Sequence, residues 1–197
     1  SPKSQDRYYA GFDNGEGFTV TVAHIADFGL FTGRTLTMDE YRELSVAAER
    51  SKARARAMRM LSSRPMSKGE VAGKLMEKGE REEVSRDAAD WLESIGAVND
   101  EEYASMVVRH YAARGYGLGK IKNELFKRKI PKDLWENALG EMPDTEEKID
   151  RLLEARFRSR DINDKEIKKA SDMLLRRGFS YEEIRSALRR FGENIED

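Results

Sequence analysis

Three stretches decide how this chain is read: Leu75-Met76-Glu77-Lys78-Gly79, Leu125-Phe126-Lys127-Arg128-Lys129-Ile130 and Leu174-Leu175-Arg176-Arg177-Gly178-Phe179. The leucines stand 50 and 49 residues apart. Each is followed by basic residues and a turn, and each turn leads to a helix whose first apolar anchor is Val84, Leu134 or Ile184. Before each leucine the spacing predicts another anchor on the same face, at Val71, Ile121 and Ile167. The unit is a long helix, a helix carrying the leucine, and a helix after the basic turn. So small a unit buries little alone, and stacked neighbours supply the rest of its core. Residues 158–163 are extra in the third unit, which makes its alignment approximate.

The flanking sequence agrees with this helical reading. Thr37 with Glu40 forms a capping box, opening a helix to about Leu61 with small or apolar residues at Leu44, Ala47, Ala48, Ser51, Ala55 and Met58. Asp100, Glu101 and Glu102 place acid at the start of a helix with the stripe Tyr103, Met106, Val107, His110 and Tyr111. The same spacing recurs at Val84, Ala88, Trp91, Leu92 and Ile95, at Ile149, Leu152, Leu153 and Phe157, and at Ile184, Ala187, Leu188 and Phe191. No run after Val22 alternates at period two. The head differs. Aromatic and β-branched stretches at 7–13 and 16–22 flank Asn14-Gly15, which predicts a hairpin with a two-residue turn. That turn pairs Tyr9 with Val20 and Gly11 with Phe18, so Tyr9, Phe18, Val20 and Val22 share a face that needs a partner, and Tyr8 and Phe12 lie on the other. A short helix around 23–28 and a turn at Gly33 are expected next. The fold class is mainly α, tandem three-helix repeats stacked behind an N-terminal β-hairpin. The expected divisions are 1–36, 37–98, 99–143 and 144–197, the last with an acidic tail.

Composition bounds the function. The chain has 197 residues, 37% of them charged, with a formal net charge of −1 and 39% hydrophobic content. This excludes collagen-like and disordered chains. No 18-residue apolar stretch exists, so no membrane association is expected, and no secretory segment opens the chain. The chain begins at Ser1 rather than Met, so trimming or a fusion remnant is expected there. The absence of cysteine excludes disulfides, thiolate metal sites and a cysteine nucleophile, and suits the cytoplasm.

Catalysis finds little support. His24 and His110 are far apart, His110 lies on an apolar stripe as a core or edge residue, and the carboxylates sit at helix starts. No nucleophile elbow or Walker A sequence occurs. No catalytic residue, metal or cofactor is expected. Gly115-Tyr116-Gly117-Leu118-Gly119 follows a helix rather than a strand, so Gly115 reads as a residue just past a helix end. The other reading is that exposed amides there, with Arg114 and Lys120, meet a phosphate or carboxylate.

The charge pattern is more telling than its sum. Positions 50–81 hold ten basic residues against three acidic, and positions 109–132 hold eight against one, Glu124, an excess of +7 in each. Acid collects in the first 48 residues, seven against four basic. By the repeat, Lys74 and Lys78 occupy positions like Glu124 and Arg128, and Arg177 follows again. A basic stripe of this kind suits a nucleoprotein or an acidic protein groove. The alternative is that the cations solvate helices and pair with acids one turn away. Tyr116, among Arg114, Lys120 and Lys122, is placed to stack on a base, to anchor an interface or to join the core.

Residues 57–67 (Ala57-Met58-Arg59-Met60-Leu61-Ser62-Ser63-Arg64-Pro65-Met66-Ser67) with Glu70-Val71, Lys74-Leu75 and Lys78-Gly79 resemble the first signature of RecX, the bacterial regulators of the recombinase RecA. Gly96-Ala97-Val98-Asn99-Asp100-Glu101-Glu102-Tyr103-Ala104, running on to Arg114-Gly115-Tyr116-Gly117, resembles the second. Leu175-Arg176-Arg177-Gly178-Phe179-Ser180-Tyr181 with Ile184 and Leu188 resembles the third. Two positions depart from the pattern: Lys129 stands where glycine is usual, and Glu80 where an apolar residue is usual.

The resemblance implies an elongated, curved array of three three-helix repeats and a function that is not enzymatic. It implies binding to RecA and the RecA-DNA filament, with lower ATPase and strand exchange, in regulation of DNA repair and homologous recombination. It also implies direct contact with single- or double-stranded DNA, by a monomer. The RecA- or DNA-binding residues expected are Arg64, Lys74, Lys78, Arg114, Tyr116, Lys120, Lys127, Arg128, Lys129, Arg176 and Arg177. A stand-alone nucleic-acid-binding helical module that competes for DNA is the alternative.

Overall fold

The computed structural model describes residues 6–158 and 162–196, with side chains as far as residue 192. Positions 159–161 of the expected insertion and the acidic side chains of the tail lie outside the described residues. The elements are β1 (Arg7–Gly11), β2 (Gly17–Thr21), α1 (Val22–Asp27), α2 (Met38–Leu61), α3 (Lys68–Glu77), α4 (Glu82–Ser94), α5 (Asp100–Ala113), α6 (Leu118–Lys127), a 3-10 turn (Lys132–Leu134) leading into α7 (Trp135–Gly140), α8 (Glu146–Phe157), α9 (Asp164–Arg176) and α10 (Tyr181–Glu196). A mainly helical chain with an antiparallel hairpin at its head is what the periodicities predict. The chain forms two compact units. One takes the residues to Pro65 with Val71–Val98, the other Met66–Glu70 with the residues from Asn99 onward.

In the first unit the hairpin register differs by one from the expected pairing. Tyr8 faces Val20, Tyr9 faces Thr19 and Ala10 faces Phe18. The loop has three residues. Phe12 N–H donates to Glu16 O at 2.9 Å, Gly15 N–H donates to Phe12 O at 3.0 Å, and Gly15 stands at φ +81°, a turn followed by a bulge. Asp13 supplies the extra turn position. A one-residue slip exchanges the faces of a strand. β2 keeps its expected inner residues, with Val20 buried, while β1 turns over: Phe12 joins Phe18 against Tyr41 of α2, with centroids 4.9 and 5.9 Å away. Tyr9 lies on the opposite face, 73% exposed, over Gly17, and Val22 has left the strand for α1.

Thr37 caps α2 and closes the predicted box with Glu40. The buried residues of α2 are Leu44, Ala48, Ala53 and Ala57, so Ala55 and Met58 are not its core positions and Met58 is exposed. The first pair lies half a turn around the axis from the second. The helix therefore changes faces along its length, where the sequence reading assumed one stripe. It packs on β2, α1 and α4. Glu80 follows α3 in the place usually apolar, and its side chain is 7% exposed because Arg56 holds it at 2.6 Å and Lys52 at 3.4 Å.

In the second unit, Tyr103, Val107, Val108, Ile121, Leu125 and Ile130 form one core, and Ile149, Leu153, Phe157, Leu174, Phe179 and Ile184 another. Small residues move the α5 stripe. Ala104, Val108 and Ala112 are buried, while Met106 and His110 are exposed. His110 is thus not a core residue, and its ring meets Tyr111 edge-on at 5.3 Å. Leu75, Leu125 and Leu174 are each fully buried. The anchor one turn before Leu174 is Ala170, fully buried, while Ile167 is half-buried, as the extra residues ahead of α9 shift the alignment.

The turn after each leucine has one geometry. Glu80, Ile130 and Phe179 each donate a backbone N–H to the leucine carbonyl five residues back, at 3.1, 3.2 and 3.2 Å. The residue before each has positive φ: Gly79 at 86°, Lys129 at 51° and Gly178 at 88°. Lys129 keeps the turn that glycine makes elsewhere.

Candidate interaction surface

The site is built on α5, α6 and the turn between α9 and α10, all in the second unit. Tyr116 N–H donates to Tyr111 O at 3.1 Å and Gly115 sits at φ +74°, so α5 ends as the glycine pattern predicted. Gly117 opens α6 without a side-chain cap. Its N–H donates to Arg177 O, and Gly119 N–H donates to Gly178 O, both at 2.9 Å. Two of the amides that a bound phosphate would use are therefore already taken by backbone carbonyls, which counts against the anion-binding reading of the glycines. Gly117 is required by proximity, since a Cβ on it would stand 2.6 Å from the Gly178 carbonyl carbon, while one on Gly119 would fit tightly at 3.1 Å from the Gly178 oxygen. The joint recurs at the start of α3. The Ser67 hydroxyl donates to the Arg128 carbonyl, and a Cβ on Gly69 would stand 2.7 Å from the Lys129 carbonyl.

Glu124 is the centre of the charge. Its carboxylate is 9% exposed and meets Arg128 at 2.6 Å, Lys120 at 3.3 Å and Lys127 at 3.6 Å, while the Tyr111 hydroxyl donates to it at 2.9 Å. Burial by itself would raise the carboxyl's pKa. Hydrogen bonds from Arg128, Tyr111 and Lys120 outweigh burial and hold it at about 2. The Arg128 guanidinium, also desolvated, is raised on balance by the same bond.

An aromatic stack continues from this network. Arg128 lies over Tyr111 at 5.6 Å, the Tyr111 and Tyr116 rings are 5.5 Å apart, and Arg177 lies over Tyr116 at 5.6 Å. Arg177 also donates to the carbonyls of Arg114 and Gly115, each at 3.3 Å. The order Arg128, Tyr111, Tyr116, Arg177 fixes two cations by their π partners.

Arg114, Tyr116, Lys120, Lys127, Arg128 and Arg177 are thus brought into one cluster. Lys129 and Arg176 are exposed beside it. Arg64, Lys74 and Lys78 belong to the first unit: Arg64 is exposed after α2, Lys74 is half-buried on α3, and Lys78 is exposed past its end. The charged excess read from the sequence is not all available, because Glu124 engages three cations. Sequence reasoning passed over Glu124 and Tyr111 as functional groups. The signal was present in the spacing, since Glu124 lies four residues from both Lys120 and Arg128.

The histidines are structural or apart. Thr21 N–H donates to His24 Nδ1 at 3.2 Å, and Nε2 lies 3.3 Å from Ser51 Oγ. Among the described residues no three His, Asp or Glu side chains gather as metal ligands, and no helix is long and apolar enough to cross a membrane.

Family models of the first, second and third three-helix domains of RecX match residues 53–92, 99–139 and 144–188. The regulatory protein RecX of Caldanaerobacter subterraneus subsp. tengcongensis is 26% identical over 94% of each chain. That of Chromohalobacter salexigens is 32% identical over 70% of this chain and 91% of its own. A crystal structure of regulatory protein RecX shares the fold with a TM-score of 0.74 over 96% of each chain, at 22% identity.

Proposed function

The chain belongs to the RecX family of regulatory proteins, and from that premise we propose that it modulates the recombinase RecA. It binds RecA or the RecA-DNA filament in the cytoplasm and lowers ATPase and strand-exchange activity, so regulating DNA repair and recombination. The observation that carries this reading is the set of exposed cations on α6 and on the turns beside it. Lys122 and Lys129 have no ion-pair partner among the described residues, and Lys127 and Arg176 are exposed. Cations held on helices, in front of a network that fixes their neighbours, steer association with an acidic surface or an exposed phosphate backbone.

The test is RecA's DNA-dependent ATPase at low salt with this protein in excess. Inhibition is expected, and no change would remove the reading. Nuclease treatment separates contact with RecA from competition for DNA, since only the former survives it.

A further inference from the structure

The residue after each buried leucine is apolar and faces water. Met76 is 40% exposed, Phe126 65% and Leu175 44%, while the leucines beside them are fully buried. A position turned about 100° from a core residue on a helix is ordinarily free to be polar. Here it is apolar three times, at the same place in the repeat, with a cation within the next two residues each time. On α6 the setting is strongest. Lys122 lies one turn before Phe126, and Lys127 and Lys129 follow it, all three exposed. The phenyl ring therefore stands in water, with exposed cations before and after it along the chain.

The chemistry of the occupant follows from what the three positions share. Phosphates would account for the lysines, and a base would stack on phenylalanine, but methionine and leucine offer no π-face. Their common property is apolar volume, which is the property of a protein-interface anchor. The exposed cations select acid around the receiving pocket.

We propose that Phe126 is the anchor of a protein-docking surface, inserting into an apolar pocket edged with carboxylates while Lys122, Lys127 and Lys129 meet the rim. Met76 and Leu175 are the corresponding positions in the other repeats. The proposal rests on the RecA reading and assigns this face of α6 to protein rather than nucleic acid.

The experiment compares the full chain with Phe126→Ser and Phe126→Leu, measuring affinity for purified RecA, alone and on single-stranded DNA, and for bare single-stranded DNA. Phe126→Ser is expected to weaken RecA binding about tenfold or more. Its salt slope and its bare-DNA affinity should match the parent chain, because no charge changes. Phe126→Leu restores most of the loss, and circular dichroism melting of both variants matches the parent because the site is exposed. RecA binding unaffected by Phe126→Ser overturns the anchor and leaves the RecA reading standing. An equal loss on bare DNA overturns it in favour of base stacking. A parent chain with no affinity for RecA removes both readings together.

Discussion

Glu124 brings a carboxylate to a nearly dry position and keeps it charged by surrounding it with donors. Its pKa of about 2 lies below the ordinary 4.5, so the folded state holds the proton less tightly than the unfolded chain. The stability this contributes is present above pH 4.5 and is lost as the pH falls toward 2. Glu124→Gln should cost roughly 2–3 kcal/mol at neutral pH, because Arg128 is then left half-buried without its counter-charge. Urea unfolding from pH 7 to 2.5 tests this: the variant's acid limb should be shallower than that of the parent. A second residue-scale expectation concerns Lys129, the one non-glycine with positive φ among the described residues. A left-handed L-residue costs about 1–2 kcal/mol, and glycine gives back about 0.5–1 in unfolded-state entropy. Lys129→Gly should therefore raise stability by up to about 1 kcal/mol with an unchanged denaturant slope. The lysine's presence was plain in the sequence. Its conformation was not, because that is imposed by the hydrogen bond from Ile130 to Leu125.

At the scale of elements, the repeated joint between a turn and a helix start decides which glycines matter. Gly178 sits at φ +88° against the backbone of Lys120, so a Cβ there meets both strain and collision. Gly79 has the same φ region and open space around it. Gly178→Ala should cost at least about 2 kcal/mol more than Gly79→Ala, which carries the backbone strain alone. Thermal unfolding of the two variants checks this, and equal losses would mean that the joint yields. The joint was only half legible. The spacing showed the turns and the glycines, but that Gly117 and Gly119 meet the turn of the next repeat depends on contacts about sixty residues apart. The hairpin failed in a different way. Asn14-Gly15 marks a turn without fixing its length, and Asp13 made the loop one residue longer, exchanging the strand's two faces.

For the molecule as a whole, a net charge of −1 hides stretches of opposite sign along the chain. Inhibition of RecA by this chain should weaken as salt rises, since exposed charges are screened within about 10 Å at 0.1 M. Reversal of Lys122 and Lys129 together, neither of which pairs with Glu124, should reduce low-salt inhibition and flatten its salt dependence. Lys127 and Arg128 are best left in place, because they pair with Glu124 and their loss would confuse folding with binding. Fold class and family position were readable from the leucine repeat, since burial of a periodic residue is a local demand. The division of the cations was not readable, because Glu124, Tyr111 and Arg177 meet only after the chain has folded.

The joint also sets a timetable for synthesis. Gly117 leaves the ribosome sixty residues before Arg177, whose carbonyl its amide will bind. At about 5–20 residues per second the wait is roughly 3–12 s. During that interval the start of α6 faces water with two donors free, and it is finished only when its successor arrives. Nascent chains stalled before residue 177 should accordingly be cut more readily near residue 117 than released full-length protein, and limited proteolysis on stalled ribosomes would measure the difference.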